Sequence, residues 1–361
     1  MMIQHTRRPG AAVALALAAL MATGAGGAAG QGVVRGGGLP APLPLGPANN
    51  WWNLDISAAP VDPASAATIA WIGATKGLHP DFGGDSGDTA PDPLIYGMVV
   101  ITVPGTQPLV PVTFTQFGGE SDGGAPGRPA GYPIPPAATT QDRWLEGGLP
   151  GGGANGDRHM LIVDRDRKLL FETWATTWNP TANAGAGRWE AGSGAVFDLN
   201  TNARRPAGWT SADAAGLAIL PGLVRRDEVL SATQGAGAVP IRHAIRMTTR
   251  ATNGHVWPAS HTAGSTAGAP PMGARFRLKA SKNIAAVAPE ARAILQAMKT
   301  YGMILADNGS DLYFQGAYDT GWDNGVLNPA FSAIKASDFE MVKLGHGAPA
   351  AGVGDWRAHG R

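Results

Sequence analysis

The chain has 361 residues, a formal net charge of +1 and 15% charged residues. Nucleic-acid binding requires a concentrated basic field, which this sequence lacks, so that class of function is excluded. The chain contains no cysteine, so burial rather than a disulfide framework must hold the fold together.

Residues 1–30 have the pattern of a secretory signal peptide. Arg7 and Arg8 precede an apolar stretch over residues 11–22, which is shorter than the roughly 20 residues of a membrane span. Small residues follow, and they predict cleavage between Ala25 and Gln31. The arginine pair leaves twin-arginine export open, although the bulky apolar residue usual after such a pair is missing. We expect a secreted or periplasmic protein without a membrane span in its mature chain.

The remaining chain predicts one β-rich domain over residues 49–343. A disordered Gly/Pro-rich leader, residues 31–48, precedes it, and a flexible tail, residues 344–361, follows it. The 52 glycines and 29 prolines are typical of a sandwich or barrel with long loops. Eleven tryptophans supply large flat faces for cores or for stacking on ligands.

The predicted elements are mostly strands, taken in chain order at 94–103, 109–117, 158–174 (a hairpin), 195–199, 240–251 and 274–281, with a final hairpin around Asn308–Gly309. Helical patterns occur at 210–217 and, more clearly, at 289–301, where Pro289 begins the first turn and Gly302 ends the helix. No strand–helix alternation is visible. The sequence therefore predicts an antiparallel β-sandwich or jelly-roll with one or two short helices, rather than a parallel α/β sheet.

Four runs of sequence carry a resemblance to a known group of proteins: AGSGAVFDL, GWTSADAAGLAILPGLVRRDEV, PPMGARFRLKAS and YGMILADNGSD. They resemble a family of exported microbial proteins whose activity is uncharacterised. The resemblance extends over residues 49–323 and implies no particular reaction.

The hairpin GDRHMLIVDRDRKLLFETW, residues 156–174, places charged groups within a strand pattern. A loop of two or four residues would put Val163 opposite Lys168, and hence His159 opposite Glu172 and Asp157 opposite Trp174. A three-residue loop would shift the register by one. Two interpretations of Asp157, His159 and Glu172 are open: they form a catalytic group, or they lie on a solvated face of the sheet and form an ion pair there.

In the catalytic interpretation, Glu172 is the principal acid–base carboxylate. Apolar neighbours on its face, Leu161 and Leu170, would raise the pKa of Glu172 toward that of a general acid. Asp157 or Glu228 would supply the second carboxylate that glycoside hydrolysis requires.

Further candidate residues are assigned to substrate binding, and for each of them the alternative is a purely structural role. His79 lies two residues before Asp81 in LHPDF, and Glu228 follows Asp227 in what reads as a polar loop. The predicted substrate-binding residues are Trp174, Trp257, His243, Arg246, His261 and His79. A zinc site made from the four histidines at 79, 159, 243 and 261 is chemically possible, but no spacing supports it.

The function that these features favour is a secreted glycoside hydrolase or polysaccharide lyase that needs no cofactor. Its partner would be a polysaccharide or oligosaccharide. The alternatives are a non-catalytic glycan-binding or cell-surface module and a histidine-dependent metallohydrolase.

Overall fold

A computed structural model describes residues 32–36, 39, 45–83, 97–124, 127–148, 150, 156–233 and 241–349. The predicted signal peptide and residues 350–361 of the predicted tail lie outside this described part. Among the helices of the described residues, none has the length and apolar character that crossing a membrane requires.

Most elements of the described chain are short strands. They are β1 (Val34–Arg35), β2 (His79–Asp81), β3 (Val100–Val103), β4 (Val112–Phe114), β5 (Met160–Asp164), β6 (Leu169–Trp174), β7 (Thr177–Asn179), β8 (Arg188–Ala191), β9 (Ser193–Asp198), β10 (Ile245–Thr249), β11 (Arg275–Leu278), β12 (Met303–Asn308), β13 (Tyr313–Gln315) and β14 (Phe339–Met341). The α-helices are α1 (Ser65–Ile72), α2 (Arg226–Thr233), α3 (Pro289–Thr300) and α4 (Asn324–Ser332).

The strands form three sheets within one compact unit. A five-stranded sheet has the order β1-β3-β5-β6-β9, a six-stranded sheet has the order β14-β11-β12-β10-β13-β2, and a three-stranded sheet has the order β4-β8-β7. The mainly-β prediction is confirmed at this level.

The largest hydrophobic cluster joins helix α3 to one face of the six-stranded sheet. Ile294, Leu295 and Met298 of α3 lie in the same buried cluster as Met247 and Phe314 of the sheet. This confirms the apolar stripe that predicted the helix, which begins at Pro289 as expected.

The five-stranded sheet is buried on both faces. Leu161, Val163 and Leu170 belong to one cluster, whereas Ile162 and Phe171 belong to another, as the alternation of side chains along a strand requires. Residues 211–222, which we call the bridging loop, contribute to the first of these clusters and also to the cluster around α3.

The prediction of purely antiparallel pairing is wrong, because four strand pairs are parallel. They are β3 with β5, β10 with β12, β13 with β2, and β4 with β8. The predicted final hairpin is also wrong, since β10 lies between β12 and β13. After β12 the chain passes the end of β10, where Gly309 N donates to Thr249 O and Leu312 N donates to Thr248 O. After the Asn308–Gly309 turn the chain therefore crosses the end of β10 to reach β13, instead of returning alongside β12 as in a hairpin.

The structure contains more helices than the sequence predicts, and two segments have a secondary structure different from the predicted one. Residues 224–230 were interpreted as a polar loop, but α2 begins at Arg226 with Asp227 and Glu228 in its first turn, where negative charge is favourable. Residues 210–217 form turns instead of the predicted helix. The predicted leader contains strand β1, which pairs with β3, so part of it is ordered in the sheet.

The predicted hairpin over 158–174 forms, but its register differs by two residues from the prediction. Asp164 pairs with Leu169 and Leu161 pairs with Glu172, so the prediction that His159 lies opposite Glu172 is wrong. The Asp164 carboxylate accepts hydrogen bonds from the backbone N–H groups of Asp166 (3.1 Å) and Arg167 (3.0 Å). This contact closes the turn within residues 165–168 and makes Asp164 the last residue of its strand.

We expect Asp164→Ala to lower the free energy of unfolding by about 1–2 kcal/mol, because the turn N–H groups lose their acceptor. The matched control is Asp164→Asn, whose amide oxygen can still accept both bonds and should cost less than half as much. Urea denaturation of the two variants measures the difference. Equal losses would show that the negative charge, and not the acceptor, stabilises the turn.

Candidate active site

The two faces of the six-stranded sheet have opposite character. Met247, Leu305 and Phe314 occupy one face and are part of the large hydrophobic cluster. Side chains alternate along a strand, and residues paired between strands point to the same side. The other face therefore carries mainly polar side chains around β10, β13 and β2: Arg246, Thr248, Tyr313, Gln315, His79 and Asp81.

A register shift adds a carboxylate to this polar face. The pairing of β10 with β12 slips between Met247 and Thr248, so that Asp307 becomes the partner of Thr248. A strand without the irregularity would have placed Ala306 there. Asp307 consequently lies beside the Arg246 side chain.

Arg246 is held by two carboxylates. Its Nε and Nη2 donate to the two oxygens of Asp213 at 2.9 and 2.8 Å, and Nη2 also donates to Asp307 Oδ2 at 2.8 Å. The Arg246 side chain is 2% exposed and the Asp213 side chain is not exposed at all. Burial alone would lower the pKa of Arg246, but the two carboxylates reverse this and raise it.

Asp307 is the accessible member of this trio, with 21% of its side chain exposed. Burial raises the pKa of Asp307 to about 6, against the opposing charge of Arg246, and the nearby Asp213 carboxylate adds to the rise. One guanidinium cannot neutralise two carboxylates, so the exposed one exchanges a proton within the physiological range.

His159 forms a second buried ion pair close by. Its Nδ1 lies 2.7 Å from Glu146 Oε2, and its Nε2 lies 3.2 Å from the carbonyl oxygen of Ala212 in the bridging loop. Burial would lower the pKa of His159, but the Glu146 carboxylate outweighs it and raises the value to about 9. Because both ring nitrogens face oxygen acceptors, the imidazole is doubly protonated at neutral pH and serves as a fixed positive charge.

Asp81 and Asp157 both interact electrostatically with Arg246. Burial raises the pKa of Asp81, and the charge of Glu146 raises it further. Asp157 is exposed, and its charge acts on His159, Arg246 and Asp307. We refer to the following residues as the carboxylate cluster: Asp81, Glu146, Asp157, Asp213 and Asp307, with Arg246 and His159.

Glu172, the predicted principal acid–base group, is fully buried next to this cluster. Its carboxylate accepts hydrogen bonds from the backbone N–H groups of Ile219 (3.0 and 2.9 Å) and Leu220 (2.9 Å) in the bridging loop. Burial raises the pKa of Glu172 to about 7, although these hydrogen bonds oppose the rise. With no exposed surface, Glu172 fastens the bridging loop to the five-stranded sheet.

Glu228 and His243 lie in a separate ion-pair group. Glu228 Oε1 is 3.1 Å from His243 Nε2, and Glu228 Oε2 is 3.2 Å from Arg225 Nη2. Burial would raise the pKa of Glu228, but His243 and Arg225 lower it overall. These contacts connect the first turn of α2 to the segment that precedes β10.

The other residues predicted to bind substrate lie in different parts of the structure. Trp174 ends β6, and the backbone N–H of the next residue, Ala175, donates to Asp157 O. His79 stacks on Tyr313 with ring centroids 4.2 Å apart, on the polar face. His261 Nδ1 contacts Ala214 O at 2.7 Å, whereas Trp257 packs edge-on against Trp51 in the large hydrophobic cluster.

The four histidines considered for zinc have different environments. In the part of the chain that the structure describes, no group of three or more histidine, aspartate or glutamate side chains is arranged to hold a metal ion. His159 in particular directs both ring nitrogens at oxygen atoms of the protein.

Four members of the carboxylate cluster were not predicted as site residues. Asp81 is noted only beside His79 in LHPDF, Asp213 lies in the segment predicted as a helix, Asp307 directly precedes the predicted final turn, and Glu146 has no predicted role. A signal was present for Asp307, since it follows the apolar strand MILA directly. Asp213 and Glu146 lie in loops whose course depends on tertiary contacts, and their spacing carried no comparable signal.

Comparison with known proteins gives no relatives: no protein-family model matches the chain, and neither does any curated protein or solved structure. The resemblance of the four sequence runs to exported microbial proteins therefore stays a prediction.

We expect Glu172→Leu to lower the free energy of unfolding by about 2–5 kcal/mol, because two buried N–H groups lose their acceptor. Glu172→Gln retains a carbonyl oxygen in the place of Oε1, which accepts from both Ile219 and Leu220, so its loss should be less than half as large. Chemical denaturation tests both variants. Full stability of Glu172→Leu would contradict the anchoring role.

The His159–Glu146 pair predicts how stability depends on pH. The pKa of His159 is raised in the folded state from 6.5 to about 9, so its contribution is complete below pH 6.5 and is lost as the pH rises through 9. The free energy of unfolding should fall by about 3 kcal/mol over that interval.

Urea denaturation between pH 6 and 9.5 measures this fall. Glu146→Gln removes the charge that keeps His159 protonated, and the decline should disappear in that variant. Glu190→Gln is the matched control, because Glu190 pairs with the partly exposed Arg188 instead. A decline that persists in Glu146→Gln would refute the assignment.

Proposed function

We propose that this protein is an exported enzyme that cleaves a glycan by acid–base catalysis at the carboxylate cluster, with Asp307 as the general acid. The observation that carries this proposal is the sharing of one buried guanidinium, Arg246, between the buried Asp213 and the partly exposed Asp307. In this arrangement solvent reaches Asp307 and not Asp213.

Acid–base chemistry needs one carboxyl group that holds a proton near neutral pH and another that is ionised. Asp307, with a pKa raised to about 6 by burial, suits the first role. Asp157 is the candidate for the second, because it is exposed and its charge reaches both Asp307 and Arg246. Glu172, which the sequence favoured for the first role, acts in this proposal as a positioning residue.

A glycan substrate is supported by features around the cluster. Trp174 directly precedes Ala175, whose N–H donates to Asp157 O, and Trp174 is partly exposed, so that it offers a flat face for a sugar ring. Phe117 lies next to Trp174, with ring centroids 6.2 Å apart, and 39% of Phe117 is exposed. The signal-peptide pattern agrees with an extracellular or periplasmic polymer as the substrate.

The proposal can be tested by incubating the mature protein with a panel of polysaccharides and measuring reducing ends and unsaturated products together. Hydrolysis produces the first alone, and elimination produces both. Binding without either product would support the alternative of a glycan-binding module.

On a substrate that is cleaved, we expect Asp307→Asn to reduce kcat/KM by about 10²–10⁴-fold, the usual contribution of a positioned general acid or base. The fold should persist, because Arg246 keeps its two bonds to Asp213. Asp323→Asn is the matched control: Asp323 caps α4 at an exposed position, and asparagine caps equally well. Unchanged activity of Asp307→Asn would refute the assignment.

The pH dependence gives an independent check. As a general acid, Asp307 must be protonated, so kcat/KM should fall as the pH rises above about 6. The fall should be absent from the residual activity of Asp307→Asn. If the fall is instead lost in Glu172→Gln with the fold intact, the catalytic assignment belongs to Glu172.

A further inference from the structure

Three arginines point to the polar side of the six-stranded sheet, and their positive charges are neutralised to different extents by the protein. Arg246 of β10 and Arg275 of β11 both pair with Ile304 of β12, so they lie in one row across three strands and share a face. Arg277 lies two residues further along β11 on the same side. The three are 2%, 4% and 8% exposed, respectively.

Two of these arginines are paired with carboxylates. Arg246 is bonded to Asp213 and Asp307, as described above. Arg277 forms an ion pair with Glu340, and its Nη1 donates to the backbone carbonyl oxygens of Ser57 and Ala59 at 2.9 and 3.0 Å. The charge of each of these two side chains is thus matched by carboxylates of the protein.

Arg275 has one partner only in the described structure. Its Nη2 donates to the carbonyl oxygen of Tyr301 at 3.1 Å, whereas Nε and Nη1 are buried without any hydrogen-bond acceptor. Among the ion pairs of the described residues, none includes Arg275. Burial lowers the pKa of Arg275 to about 9, and no charged group opposes that shift.

The 51–53 segment carries no charged side chain, although its Asn53 Oδ1 is a buried acceptor without a donor. The indole N–H groups of Trp51 and Trp52 are buried and also lack acceptors. The Trp52 ring reaches the same sheet face, because both this ring and Arg246 Cβ flank Gly222. The 51–53 segment therefore does not supply the negative charge that Arg275 lacks.

From these contacts we infer that Arg275 holds a small inorganic anion, of which chloride is the representative, at its free Nε and Nη1 donors. A guanidinium stays charged in proteins, and a buried charge without a counter-charge costs several kcal/mol. A water molecule would accept the hydrogen bonds but would leave the charge uncompensated. The low exposure of Arg275 limits the ligand to one of atomic size. This inference is independent of the proposed enzymatic activity.

The first test compares thermal unfolding in sodium chloride and in sodium gluconate at equal ionic strength. An anion that binds the folded state raises Tm with its concentration, by roughly 3–6 °C over a hundred-fold excess above Kd. Arg275→Met should lose this chloride dependence. Arg292→Met, at an exposed position of α3, removes an equal charge and should retain it. A wild-type Tm that is the same in both salts would overturn the inference.

A second measurement does not require the variant to fold. Crystals of the wild-type protein grown in sodium bromide should show an anomalous scattering peak within hydrogen-bond distance of Arg275 Nε and Nη1. Density of a water molecule or of a polyatomic ion at that place, without an anomalous peak, would overturn the halide assignment.

Discussion

The structure depends on one buried cation, Arg246, that is shared between a strand and a loop. Through Asp213 it fixes the bridging loop to the six-stranded sheet, and through Asp307 it places a titrating carboxylate at the edge of the same polar face. Removal of the guanidinium would leave two carboxylates close together without a counter-charge, which is strongly unfavourable in a buried setting.

The bridging loop is also held by polar contacts with the five-stranded sheet and the residue that precedes β5. Glu172 of the five-stranded sheet accepts hydrogen bonds from Ile219 and Leu220 in this loop, and His159 contacts the Ala212 carbonyl. The loop therefore connects two sheets through polar contacts at its core, in addition to its apolar packing. A segment held in this way can position acid–base groups with little freedom, which catalysis at a carboxylate cluster requires.

Charge balance also explains why the buried polar groups differ in role. In the carboxylate cluster, acids outnumber the two cations, and burial together with this excess of acids raises the pKa of Asp307 to about 6. At Arg275 the imbalance is reversed, with a cation that no acid of the described chain reaches. Proton uptake by a carboxyl group reduces the excess of negative charge in the carboxylate cluster. The Arg275 guanidinium does not deprotonate, so its positive charge requires a ligand.

The sequence by itself determined the features that local patterns control. Alternation and turn residues predicted the mainly-β class and the hairpin of β5 and β6, and an apolar stripe predicted helix α3. It did not determine the hairpin register, because the Asp164 side chain and not the loop composition closes the turn. Sheet order, parallel pairing and the grouping of Glu146, Asp213 and Asp307 were decided by tertiary structure alone. These residues come from three separate parts of the chain: the pairing of β12 with β10 places Asp307 beside Arg246, and the packing of the bridging loop brings Asp213 to the same guanidinium.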